Sequence, residues 1–380
     1  MSLLDCFGMF GRERSREELL DTVDALVIGA ANSSQAKSYG IKDIALSVYN
    51  IKDGTLLHRV DTGSASERRL NVASVSKLVS GLVLLKCVSE GHMSLESTTS
   101  ELLGWDGEIG LITLRQLGSM TSGLIDDDNS LYDGTISLAE TAAAIRDRGL
   151  QSQPGKRFHY KQTDWQVAGR MAEVATGRTW AELFDALKDA IGLGYRPDLK
   201  YRCAREGGRD THSFLYNRRI EFHGDTLNPM LGGGLWATEH EIKELYLLAA
   251  NEGRTRTGTQ IIRAELIKDV MFAESKPCVS VSREPQPAAF MSFMGYRYGF
   301  GCWLERSVRF GREAHPCESF SSPGIYGTTP WIDMGKDSGG YVGVICSEGN
   351  MESATRLSYI LKMRLQPLVR RALASPCRDT

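Results

Sequence analysis

Residues 70–97 read LNVASVSKLVSGLVLLKCVSEGHMSLES. From Ser74 to Glu90 the spacing predicts a helix, and Gly91 ends it. Apolar residues lie nearly all the way round that helix, which implies burial inside a large core rather than on a surface. At its start stands Ser74-Val75-Ser76-Lys77, a Ser-x-x-Lys. Positions i and i+3 share a helix face, so the Ser74 hydroxyl and the Lys77 amine are neighbours. A serine hydroxyl is a weak nucleophile unless a base takes its proton. Lysine can be that base only if burial disfavours its ammonium form, and the apolar run behind Lys77 supplies the burial. The backbone N–H of Ser74, unpaired at the helix start, is suited to hold an oxyanion. Alone, the motif is equally compatible with a capping serine and a solvent-reaching lysine. A second copy, Ser34-Gln35-Ala36-Lys37, lies in a polar segment with no apolar helix after it, so Lys37 is expected to be solvated.

Upstream of this segment, residues 13–30 have helical apolar spacing, and Ile44–Ile51 with Leu56–Val60 read as a hairpin around Lys52-Asp53-Gly54. Downstream, helices are predicted at Thr113–Ser119, Leu138–Arg148, Thr163–Thr176, Thr179–Ile191, Glu239–Asn251 and Ile262–Phe272, with no strand-rich stretch inside residues 100–230. Strands return at Tyr296–Leu304, Thr328–Met334 and Tyr341–Cys346, the last two around Gly335-Lys336-Asp337. Residues 352–374 read as a terminal helix that Pro367 bends or breaks. This pattern implies an α/β (α+β) chain with an antiparallel sheet built from both ends, flanked by helices, and an all-helical insertion.

The 380 residues suffice for a large core without disulfide or metal staples. Lys plus Arg total 45 and Asp plus Glu 47, a balance that argues against nucleic acid or an anionic membrane as the main partner. No apolar run approaches the roughly 18 residues of a membrane span; Leu78–Leu85 is stopped by Lys86. The N-terminus MSLLDCFGMFGRERSREE has the reverse order of a secretory signal, so a cytoplasmic location is expected. Eight cysteines without a C-x-x-C and seven histidines without H-E-x-x-H point to reduced structural thiols and no metal site.

Six segments together resemble the serine β-lactamase and penicillin-binding-protein superfamily, above all its class C β-lactamase, family VIII carboxylesterase and D-aminopeptidase branch. They are residues 70–97, LITLRQLGSMTSGLIDDD (111–128), PGKRFHYKQTDWQVAGRMAEVATGRTWAEL (154–183), LGGGLWATEHEIKELYLLAANEG (231–253), YRYGFGCWLE (296–305) and SSPGIYGTTPWIDMGKDSGGYVGVI (321–345). The likeness runs from about Ile44 to about Asn350, with Met120 where the branch usually has His. It implies a β-lactamase/DD-peptidase-like fold in which residues 1–79 and 231–380 form a discontinuous α/β domain. Residues 80–230 form a mainly helical one, and the active site lies between them. It also implies catalysis by Ser74, Lys77 and Tyr160, the last opening the second motif as Tyr160-Lys161-Gln162, with Lys161 expected to point to solvent.

Gln162 keeps the amide usual two residues after the tyrosine but adds a methylene. Ser322-Pro323-Gly324 matches the third motif without its usual cation, which favours a neutral substrate over a carboxylate. Gly324 would let a ligand approach the strand edge, and the N–H of Ile325 would join that of Ser74 in the oxyanion hole. Gln162, Ser322, Gly324 and Tyr326 would line the substrate site; a register two residues further on would put Tyr326 at the polar position instead. The implied activity is a carboxylesterase or amidase on small esters or amides, working through an acyl-enzyme on Ser74 with no cofactor. Alternatives are a β-lactamase, D-aminopeptidase or 6-aminohexanoate-oligomer hydrolase, an acyltransferase of the same fold, and a non-catalytic binding protein. The partner is a small ester, amide or lactam; the oligomeric state does not follow.

Elsewhere, Asp126-Asp127-Asp128 reads as a solvated loop. Gly232-Gly233-Gly234 lacks the Lys-Ser/Thr of a phosphate loop. No Gly-x-Ser-x-Gly supports an α/β-hydrolase. Cys302 is read as a packing residue.

Overall fold

The computed structural model describes residues 14–126, 128–213, 218–223, 226–274, 280–281, 297–305 and 318–375. A seven-stranded antiparallel sheet forms from both ends of the chain. Its strands are β1 (Ile44–Asn50), β2 (Leu56–Asp61), β3 (Arg297–Tyr298), β4 (Trp303–Glu305), β5 (Ser319–Ser321), β6 (Thr329–Asp333) and β7 (Tyr341–Ser347), in the order β3-β4-β5-β6-β7-β1-β2. The ends of the chain meet where β1 pairs β7 over seven residue pairs, from Ile44 opposite Ser347 to Asn50 opposite Tyr341. One face carries α1 (Arg16–Asn32) and the terminal helix, which pack on Ile44, Leu46, Val48, Trp331 and Ile345. A second, larger core gathers α2 (Val75–Ser89), α3 (Leu138–Arg148), α4 (Thr163–Thr176), α5 (Trp180–Ala190) and α6 (Glu239–Ala250). The terminal helix is α7 (Met351–Ala374).

Helix starts follow the sequence closely because many carry a Ser/Thr-x-x-Glu/Gln box. Ser15/Glu18, Ser137/Glu140, Thr179/Glu182 and Thr238/Glu241 each pair reciprocally before α1, α3, α5 and α6. The starts of α2 at Ser74 and α4 at Gln162 have no side-chain cap. Those two side chains are thereby free for another use.

Several expectations are corrected. Residues 203–213 and 218–223 pair as an antiparallel hairpin inside the stretch read as helical; its glycines and charges hide any alternating apolar pattern. Residues 297–304 do not form one strand: β3 and β4 pair with each other, with Tyr298 opposite Trp303, and Gly301 at φ 86 in the turn between them; Tyr296 lies outside the described residues. Helix α7 continues through Pro367 as one 24-residue helix, so the proline does not break it. Strand β5 had no signal of its own, since Ser-Phe-Ser is too short to show a period. Among the described residues, no helix is long and apolar enough to cross a membrane. The described cysteines Cys87, Cys203, Cys302 and Cys346 are buried; Cys6, Cys278, Cys317 and Cys377 lie outside the described residues.

Candidate active site

The turn before α2 is strained. Ala73 has φ 45, a left-handed conformation that costs a residue with a side chain about 1–3 kcal/mol. Asn71 Oδ1 accepts from the Ala73 N–H at 3.0 Å, and the Ser76 hydroxyl donates to the Ala73 carbonyl at 2.5 Å. The Leu235 N–H donates in turn to Ser76 Oγ at 3.0 Å. Held from both sides, the turn projects Ser74 at the first step of α2, with 8% of its surface exposed.

Lys77 is fully buried one turn on. Its Nζ lies 3.1 Å from Ser74 Oγ, 3.1 Å from Gln162 Oε1 and 2.7 Å from the Gly232 carbonyl. Burial brings its pKa down from 10.5 to about 7, against the opposing pull of the Asp126 carboxylate. A neutral amine has two N–H donors and one lone pair. Two carbonyl acceptors and one hydroxyl match that inventory, leaving the lone pair for the Ser74 proton. A Cβ on Gly232 would stand 2.0 Å from Gln162 Oε1, so a side chain there would push that amide away from Lys77.

Tyr160 presents its ring to the same amine, with Nζ 4.7 Å from the ring centre. Trp303 of β4 stacks on it at 5.3 Å and 27°, and Tyr298 of β3 meets it edge-on at 5.8 Å. Burial pushes the phenol pKa above the usual tyrosine range, while the Ser74 hydroxyl and the Trp303 indole beside it pull the other way. Tyr160 is therefore a phenol at neutral pH. The structure thus brings Ser74, Lys77, Tyr160 and Gln162 together.

The third-motif residues are placed differently from one another. Ser322 is fully buried, and its hydroxyl donates to the Ser74 carbonyl at 2.6 Å rather than facing a ligand. A Cβ on Gly324 would stand 2.3 Å from the Val72 carbonyl oxygen, so close packing against the backbone two residues before Ser74 is what demands glycine there. Half-buried Ile325 follows in the turn. The Tyr326 carbonyl accepts from the Gly349 N–H at 3.0 Å, and burial beside Glu348 raises its phenol to about 12.

Lys161 does not point to solvent. It is buried, donates to the Leu124 carbonyl and pairs with Asp164 at 3.3 Å. Burial raises Asp164 to about 6 despite Lys161 and a 2.5 Å bond from the Ser122 hydroxyl. Asp126 is half-buried and accepts from the Thr163 hydroxyl at the start of α4, so it is not a solvated loop residue; Asp127 lies outside the described residues. Met120, buried at φ 62, passes its carbonyl to the His159 N–H at 2.9 Å. Lys37 is exposed, and Cys302 Sγ is buried 3.3 Å from the Met271 carbonyl. Sequence reasoning missed the Gly232 carbonyl and the Trp303 stack. A carbonyl leaves no trace in residue identity, but the triple glycine before Leu235 was a visible signal of close approach. Among the described residues no group of three His, Cys, Asp or Glu could hold a metal ion.

Residues 41–188 match the Beta-lactamase family model. The fold is similar to a candidate β-lactamase from Bacteroides dorei DSM 17855 (TM-score 0.66, 23% identity, 91% of this chain and 99% of that one). It is also similar to EstCE1, a hydrolase with promiscuous acyltransferase activity (TM-score 0.62, 16% identity, 93% and 99%). In sequence, 122 residues are 25% identical to protein flp of Staphylococcus aureus strain COL, covering 30% of this chain and 24% of flp. Another 150-residue match is 26% identical to penicillin-binding protein 4 of Amycolatopsis lactamdurans, covering 38% of this chain and 39% of that protein. The chain thus spans well under half the length of these curated relatives. Residues 41–188 thus resemble the Beta-lactamase family, and the fold is similar to that of β-lactamase-like and penicillin-binding-protein-like structures.

Proposed function

With that likeness as premise, we propose that the protein is a serine hydrolase of small, uncharged esters or amides, acting through an acyl-enzyme on Ser74. The observation that carries the reading is a fully buried Lys77 amine, pKa about 7, 3.1 Å from Ser74 Oγ. Neutral Lys77 takes the hydroxyl proton as Oγ bonds to the substrate carbonyl carbon. The N–H groups of Ser74 and, by resemblance, Ile325 receive the oxyanion. The bond to the leaving alcohol or amine breaks as that group takes a proton from the Tyr160 phenol, which Lys77 reprotonates. Water, deprotonated by the same pair, then attacks the ester, and Ser74 regains its proton. The site lies between the sheet-bearing ends of the chain and the helices of residues 80–230. The absence of a cation at the third motif supports a neutral substrate over a β-lactam or peptide carboxylate. Gln162, Gly324 and Tyr326 are the proposed pocket residues.

The test offers a short-chain p-nitrophenyl ester and a chromogenic cephalosporin to the protein and to Ser74→Ala, with a fluorophosphonate adduct sought by mass spectrometry. Ser74-dependent ester turnover and an adduct on Ser74 are expected. Cephalosporin turnover would shift the reading to a β-lactamase, and turnover only with added alcohol to an acyltransferase. Neither adduct nor turnover would leave a binding protein.

A further inference from the structure

We propose that Ser322 is a positioning residue for the nucleophile, not a substrate ligand; this rests on Ser74 being the nucleophile. Successive residues of a strand point to opposite faces. On β5 the hydroxyls of Ser319 and Ser321 both donate to the buried Glu305 carboxylate of β4, at 2.9 and 2.5 Å. Glu305 also takes Tyr359 at 3.2 Å and the Lys362 ammonium from α7. Burial works against this carboxylate, but Lys362 and the serines outweigh it and hold its pKa below the usual range. The face so fixed leaves the intervening Phe320, stacked on Phe272 at 4.0 Å, and the next alternate residue, Ser322, for the other side.

There the Ser322 hydroxyl meets the Ser74 carbonyl, which also accepts the Lys77 N–H at 3.0 Å. Asn71 and Ser76 hold the strained peptide on the N-terminal side of Ser74; Ser322 holds the one on its C-terminal side. The hydroxyl is consumed by that bond and the residue is fully buried. Its contribution is therefore to the aim of Ser74 Oγ and N–H, where a displacement of about 1 Å can cost about 100-fold in rate.

The experiment compares wild type, Ser322→Ala and Ser322→Thr by the rate of fluorophosphonate labelling of Ser74, by kcat and KM on the p-nitrophenyl ester, and by thermal melting. The expected result is a roughly 10- to 100-fold loss of labelling rate and kcat in Ser322→Ala, with KM within about twofold and the melting temperature held. Ser322→Thr, which keeps a hydroxyl, should restore most of the rate. A loss confined to KM, an unchanged labelling rate, or a loss that follows melting without rescue by threonine would overturn the proposal. A wild-type Ser74 that takes no label would instead refute the hydrolase reading on which it rests.

Discussion

The Lys77 amine makes a prediction with a definite pH. An ordinary lysine side chain, at 10.5, is almost wholly protonated at pH 7; here burial brings it to about 7, a difference of about 5 kcal/mol between the two protonation states. If the neutral amine is the base, the Ser74 acylation rate must follow its population. Between pH 8 and pH 5 that population falls from about nine-tenths to about one-hundredth, so the rate should drop about 100-fold along a single acid limb centred near 7. The assay is the second-order rate constant for fluorophosphonate inactivation between pH 5 and 9, under conditions in which the protein stays folded. Asp126 supplies an internal control, because its carboxylate raises the Lys77 pKa. Asp126→Asn should move the limb to lower pH. A flat profile, or a limb that Asp126→Asn moves to higher pH, would refute the assignment of Lys77 as base. The same shift has a stability counterpart. The unfolded lysine titrates at 10.5 and the folded one near 7, so between these values the unfolded chain binds more protons. This group's contribution therefore makes the fold more stable as pH rises through that window, and its penalty is complete below about pH 7.

Tyr160→Phe keeps the stack on Trp303 but removes the proton relay; kcat should fall about 100-fold or more, with far-UV circular dichroism unchanged. Lys362→Met deprives buried Glu305 of its ammonium partner and should cost about 3–5 kcal/mol in urea unfolding, part of it recovered by adding Glu305→Gln. Gly301→Ala would set a Cβ 2.6 Å from the Lys77 carbonyl at φ 86, so about 2 kcal/mol or more of destabilisation by the same measurement is expected.

Periodicity located the long helices because packing and local preference agree there: Leu138–Arg148 and Thr163–Thr176 match the structure residue for residue. Where contact across the chain decides, local signals failed. Pro367 sits inside an unbroken α7, which is held against α1 and the sheet. Ser319–Ser321 is a strand because Trp303–Glu305 and Trp331–Asp333 pair with it on either side. Lys161 follows Tyr160, yet its partner Asp164 lies one turn ahead on α4, with the Leu124 carbonyl from a separate loop.

The sequence by itself determined that Ser74 and Lys77 share a helix face, since that follows from 3.6 residues per turn. It also determined that the helix is buried, since its apolar residues leave no polar side. Tertiary structure alone decided the chemistry of that pair. The Lys77 pKa falls toward 7 only when the core closes over it, and its amine meets carbonyls from residues 162 and 232, which stand 85 and 155 positions away. It likewise decided that Ser322, read from the chain as a ligand-binding hydroxyl, is turned by the pairing of β5 onto the carbonyl of Ser74. Helical neighbours three or four residues apart are written in the chain; a strand's register and a distant carbonyl are fixed only when the sheet and the core assemble.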